Sequence, residues 1–208
     1  EFLNLEWIHP GLLLILGAWV LPLLKGWAKR SVMLLLPAAA LAICLRMTPG
    51  TYGVVKDFLG QELVFGRVDE LSLIFSYVFS IMAFLGMVYA LHVKDDAQHV
   101  TALTYAGGAL GVTFAGDFLS LYVFWELMAI SSVLLVWLRR EPSAVAAGFR
   151  YLLVHIFGGL VLLAGIVVHW SHPGSSLLLE PMVGGPAWNL TLSPISTLGR
   201  IVPLRAAP

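Results

Sequence analysis

The chain has 208 residues, 59% of them hydrophobic and only 12% charged, with a formal net charge of zero. So small a charged fraction, with the apolar residues gathered into long runs, indicates bilayer spans rather than a large soluble core. The charge balance speaks against a nucleic-acid surface or a strongly basic lipid-binding patch, and the single cysteine, Cys44, supplies neither an intrachain disulfide nor an iron–sulfur or zinc ligand set.

Residues 8–24 form the first predicted helix. Its start is acidic (Glu1, Glu6), the basic residues come after it, and no small-residue cleavage site follows, so a retained membrane helix fits better than a signal peptide. Lys25, Lys29 and Arg30 separate it from a second helix over 32–47, in which Cys44 reads as a small apolar residue. Residues 50–70 are mixed in polarity. Within them the run Glu-Leu-Val-Phe-Gly-Arg-Val-Asp at 62–69 partly alternates, which predicts a short strand or hairpin outside the hydrocarbon. A third helix covers 71–93 and ends at Lys94-Asp95-Asp96; Asp95, Asp96 and His99 read as a solvated loop.

The stretch 100–138 is too long for one crossing, since about 20 residues suffice. Gly116-Asp117 is the natural break, with glycine suited to a helix C-terminus and aspartate to an N-cap. Helices four and five then cover 101–115 and 118–138, and Pro142 fits the start of a sixth over 143–170. The predicted fold is an all-α integral membrane protein with about six transmembrane helices in 1–170. A hairpin-like extramembrane loop lies between the second and third helices, and an irregular Pro/Gly-containing tail fills 171–208. Alternating helices gather Lys25, Lys29, Arg30, Lys94, Arg139 and Arg140 on one side, which predicts that side as cytoplasmic and the N-terminus as outside.

Glu126 sits nine residues after Asp117 and thirteen before Arg139. At the helical rise these offsets are about 13 Å and 20 Å, near the middle of the bilayer, where a lone charge costs about 3 kcal/mol or more. Such a carboxylate must be protonated, paired or facing a hydrated cavity. It is either a proton-relay or cation-pathway group, with Tyr122 one turn away, or a structural glutamate paired to a neighbouring helix. Arg150 is either a snorkelling side chain or a fixed positive charge acting on Glu126. His155 has apolar neighbours in sequence and is either a proton relay or a hydrogen-bonded interface residue. Asp117 is most simply a helix cap. Gly107-Gly108, Gly111 and Gly158-Gly159 are close-packing positions rather than nucleotide loops, because no strand precedes them.

The run Phe-Ala-Gly-Asp-Phe-Leu-Ser-Leu-Tyr-Val-Phe-Trp-Glu-Leu-Met at 114–128 resembles the helix-five region of antiporter-like membrane subunits. These are the large subunits of Mrp-type cation/proton antiporters and the related proton-pumping subunits of respiratory complex I and membrane-bound hydrogenases. The block Phe-Trp-Glu-Leu-Met is most similar to the D-type large subunit of the Mrp antiporters. Asp-Glu-Leu-Ser-Leu-Ile-Phe at 69–75 resembles the start of that family's helix three, and Ala-Gly-Phe-Arg-Tyr-Leu-Leu-Val-His-Ile-Phe-Gly-Gly at 147–159 resembles its helix six.

The resemblance implies a component of a multisubunit monovalent cation/proton antiporter, with Glu126 the helix-five glutamate of a proton half-channel. Arg150 falls where many relatives carry a lysine; it keeps the charge but cannot give up a proton. Asp117 matches the helix-four/five junction. The implied partners are other membrane subunits in a bacterial or archaeal cytoplasmic membrane, and the implied cargo is protons with Na+ or K+. Relatives continue into a lysine-bearing helix seven that the sequence after Trp170 does not resemble, so a chain shortened by a frameshift, a split gene or a chosen boundary is expected. Two alternatives stay open: a proton-pumping subunit of a respiratory NADH:quinone oxidoreductase or hydrogenase complex, and a truncated non-conducting fragment. The sequence carries no catalytic, cofactor-binding or metal-binding motif, so any redox chemistry would belong to partners.

Overall fold

The computed structural model describes residues 7–58, 61–171 and 177–179. Six helices and one hairpin follow in chain order. Helix α1 spans Pro10–Val20 and tightens into a 3-10 turn over Leu21–Leu23. Helix α2 spans Gly26–Arg46, strands β1 and β2 span Gly50–Phe58 and Gln61–Val68, and α3 spans Glu70–Ala90. Helices α4, α5 and α6 span Asp96–Phe114, Phe118–Trp137 and Pro142–Trp170.

Local chemistry fixes most of these starts. His9 caps α1, its Nδ1 accepting from the Gly11 N–H at 3.0 Å, with Pro10 in the first turn where no backbone donor is needed. Asp69 opens α3 with a capping box: its carboxylate accepts from the Ser72 N–H at 2.6 Å while Ser72 Oγ accepts from the Asp69 N–H at 2.8 Å. Asp95 and Asp117 cap α4 and α5. Pro142 begins α6 as the sequence suggests.

Four helices, α2, α3, α5 and α6, are long and apolar enough to cross a bilayer. Helix α1 with its 3-10 extension is a shorter apolar segment. Helix α4 is more polar because it is the central post of the bundle, packed against α1, α3 and α5 rather than facing lipid. Its glycines set that closeness. Gly107 meets Gly11 of α1 backbone to backbone, and Gly111 receives the Phe124 ring of α5, so a side chain at either position would collide. Helix α6 stands at the edge, packed mainly on α5. Cys44 is fully buried between α2 and α3, 3.9 Å from Ser80 Oγ.

The antiparallel hairpin β1–β2 matches the expected extramembrane loop. Trp7 lies across it, stacked on Tyr52 and filling the space left by Gly66. Several expectations need correction. Helix α2 begins at Gly26, not at 32, so Lys29 and Arg30 lie in its first turns. Helix α4 begins at Asp96, not at 101. The predicted solvated loop is instead a packed joint: Asp95 caps α4, Asp96 pairs with Lys29, and His99 is buried with Nε2 3.1 Å from the Ala90 carbonyl. These partners come from other helices, which local composition does not reveal. Arg140 also reaches Asp95, at 2.8 Å. The 1–2, 3–4 and 5–6 connections therefore meet at one end of the bundle. Of the expected tail, 172–176 and 180–208 lie outside the described residues, while 177–179 pair with the α4–α5 junction.

Candidate functional site

The break between α4 and α5 is built around a buried carboxylate. Asp117 is fully buried and accepts from the Ser120 N–H at 2.8 Å, from Ser120 Oγ at 2.6 Å and from the Val64 N–H of β2 at 2.8 Å. The Gly116 N–H donates to the Val64 carbonyl at 2.8 Å, the Phe118 N–H to the Leu177 carbonyl at 2.9 Å, and the Leu179 N–H to the Gly116 carbonyl at 2.9 Å. Asp117 is thus a helix cap and more: it joins the hairpin to the start of α5, and its own backbone pairs with Leu178. With every contact a hydrogen-bond donor, burial of this carboxylate is compensated.

From that anchor α5 carries Glu126 inward. Its side chain is half-buried, yet Oε1 is fully enclosed and has no hydrogen-bond partner among the described residues. It rests against α6 at Gly159, where a Cβ would overlap it. An unpaired carboxylate oxygen between two apolar helices is a costly arrangement, which a bound proton or an ordered water relieves. Tyr122 is half-buried one turn before Glu126, and Ala129 is buried one turn after it.

The face of α6 that packs on α5 is marked by buried Ala144, Gly148, Gly159 and Ile166. Gly148 receives the Trp137 ring, which closes the α5–α6 pair at the turn end. His155 is half-buried one turn before Gly159. Arg150 lies nine residues before Gly159, which at about 100° per residue places it on the opposite side of α6. It is exposed, and the structure does not bring it to Glu126. Of the three candidates read from the sequence, Glu126 and His155 lie on the α5–α6 side and Arg150 does not. It missed Tyr151 and Ser132, whose hydroxyls meet at 3.0 Å across the same interface. The four-residue spacing of Tyr151 and His155 on α6 was the available signal. Beside them runs an open groove of about 480 Å³ between Leu121 and Trp125 of α5 and Val154, His155, Gly158 and Leu162 of α6. Among the described residues no three of His, Cys, Asp and Glu converge as a metal site would require.

Residues 115–191 match the NADH:quinone oxidoreductase/Mrp antiporter transmembrane family. The resemblance to antiporter-like membrane subunits holds. That stretch contains Asp117, Glu126, Arg150 and His155, and it runs past the end of α6. The A1 subunit of the Na(+)/H(+) antiporter of Staphylococcus aureus (strain bovine RF122 / ET3-1) is 33% identical over 123 residues, which is 56% of this chain and 15% of that protein. The A1 subunit from Staphylococcus haemolyticus (strain JCSC1435) is 32% identical over 122 residues, again 56% of this chain and 15% of the relative. These relatives carry an A-type name, where the helix-five block suggested the D type. The chain thus matches about 15% of the length of the curated relatives. In fold it is similar to a chain of the membrane-bound sulfane sulfur reductase, an archaeal respiratory membrane complex. The TM-score is 0.69 at 20% identity, over 80% of this chain and 37% of that one.

Proposed function

We propose that this chain contributes helices to a multisubunit cation/proton antiporter, with Glu126 as an intramembrane proton-binding carboxylate. The observation that carries the reading is the enclosed, unpaired Glu126 Oε1 in the middle of α5, facing α6. A group so placed gains from binding a proton and, with a hydrated path nearby, can pass it on. His155, one turn from the seat of Glu126, is the neighbouring group able to exchange that proton. Arg150 enters only as a fixed charge on the far face of α6. The antiporter names of the relatives support the transport class, and those names favour the A type over the D type.

Glu126→Gln keeps the shape of the side chain and removes its titration. In the complete assembly, in inverted membrane vesicles with a pH-sensitive dye, the variant is expected to assemble normally and to lose cation-driven proton movement. Normal antiport by the assembled variant would refute the reading.

The matched family also covers NADH:quinone oxidoreductase subunits, which keeps a redox-driven proton pump as the second reading. Co-purification with flavin or iron–sulfur subunits would favour it; co-purification with small membrane subunits alone would favour the antiporter. The cytoplasmic membrane with the N-terminus outside remains the proposed topology. Support comes from the clustering of Lys29, Asp95, Asp96 and Arg140 at the end of the bundle opposite the hairpin.

A further inference from the structure

Helix α5 is gripped on the side away from Glu126. Phe124 is the one buried aromatic side chain of α5, and it sits two residues before the carboxylate. Two residues turn about 200°, so the ring and the carboxylate leave nearly opposite sides of the helix. The Phe124 ring rests in the notch at Gly111 of α4 and stacks on the His9 imidazole, with centroids 5.3 Å apart and planes 26° from parallel. One turn on, the Met128 backbone lies against Gly108 of α4, where an added Cβ would be 3.4 Å from its Cα.

Both walls of this grip are themselves fixed. The imidazole cannot swing, because Nδ1 accepts from the Gly11 N–H at 3.0 Å and the Leu12 N–H at 3.3 Å, and Phe114 lies edge-on to it at 6.1 Å. The notch cannot retreat, because α4 meets α1 backbone to backbone at Gly107 and Gly11. Gly11 also lies against Gly111 itself, where an added Cβ would be 2.9 Å from the Gly111 nitrogen. Helices α1 and α4 thus form one socket, and the Phe124 ring is the part of α5 that enters it. A flat ring in a close-packed socket holds one orientation, so α5 can turn or slide only if the ring leaves.

We infer that Phe124 is the positioning residue for Glu126. With its ring held by Gly111 and His9, α5 has one rotation and one height, and these deliver Oε1 to its seat at Gly159 of α6. At the outer radius of a helix, about 5–6 Å, a turn of about 20° moves a side-chain end by about 2 Å. That is enough to lift the carboxyl group out of the seat. The inference deepens the functional reading above and rests on it for the effect on transport. It also ties α1, through His9, to a site on the far side of α5.

The competing role for Phe124 is bulk packing, which any core side chain of similar volume supplies. Two readouts on the complete assembly separate the roles, with assembly followed on native gels. One is the vesicle transport assay; the other is the rate at which a water-soluble carbodiimide modifies residue 126, followed by peptide mass spectrometry. Phe124→Leu keeps much of the volume and loses the flat ring, and Gly111→Ala keeps the ring and closes the notch. Met87→Ala is the control: it removes a buried side chain from α3, which packs on α2 and α4. In assembled complexes Phe124→Leu and Gly111→Ala are each expected to slow transport by about tenfold or more and to raise labelling of Glu126 several-fold. Met87→Ala should leave the labelling unchanged. The Gly111→Ala/Phe124→Leu double variant, whose smaller side chain makes room for the added methyl, should recover part of both. Unmodified labelling in the two single variants, or an equal rise in Met87→Ala, would overturn the positioning role. If Phe124→Leu does not assemble, Gly111→Ala decides alone. An active Glu126→Gln beside raised labelling in Phe124→Leu removes the proton-binding role and keeps the positioning. An inactive Glu126→Gln beside unmoved labelling does the reverse.

Discussion

Glu126 of α5 occupies the space that a side chain on residue 159 of α6 would take. The carboxylate has its seat because position 159 is glycine, and a Cβ there would meet Oε1 and the carboxyl carbon. Gly159→Ala must therefore push Glu126 out or part the helices. The carboxyl group is the far end of a flexible side chain, so its displacement is the cheaper response. Transport is expected to fall sharply in Gly159→Ala while Gly158→Ala, where nothing lies within reach, stays close to normal. Equal activity of the two variants in the vesicle assay would contradict the seating.

Asp117 gives a stability prediction. Asp117→Ala strands the buried N–H groups of Val64 and Ser120, at about 1–3 kcal/mol for unsatisfied polar groups. Asp117→Asn keeps one acceptor oxygen and should retain part of the difference. The expected outcome is a lower thermal midpoint in detergent, with faster protease cleavage in the hairpin of Asp117→Ala than of Asp117→Asn. Unchanged midpoints for both would show that the cap and the hairpin tie contribute little.

His9 supplies a second stability prediction. Its Nδ1 caps α1 through the Gly11 N–H, and its ring stacks on Phe124 and lies edge-on to Phe114. His9→Ala loses the cap and the ring contacts together, and the loss of a cap alone costs about 1 kcal/mol. His9→Asn keeps an N-cap acceptor and should retain part of the difference. Equal thermal midpoints for the two variants in detergent would assign the loss to the ring contacts alone.

What the sequence revealed and what it concealed divide along a physical line. Chain-local signals held: the Gly116-Asp117 break, the 62–69 alternation and the mid-helix place of Glu126 all follow from spacing along one segment. Facing relationships did not. Arg150 could be read either as a snorkelling side chain or as a charge acting on Glu126, and only the packing of Gly148 and Gly159 on α5 shows it to be on the far side of α6. His99 looked solvated because its burial comes from the end of α3, and Asp96 because its partner Lys29 is 67 residues away. The Ser132–Tyr151 pair was hidden for the same reason: neither hydroxyl is unusual until the two helices are laid side by side.

The hydrogen-bonded edge that runs from β2 through Gly116 and Asp117 to Leu177 and Leu179 also acts as a clasp. It fastens the first turn of α5 to the segment that follows α6, while the short turn between Trp137 and Pro142 and the Trp137 ring on Gly148 fasten the other end. Two rods held at both ends can part only by bowing between them. Glu126, near the middle of α5, sits in that span, where the pair has most freedom to breathe.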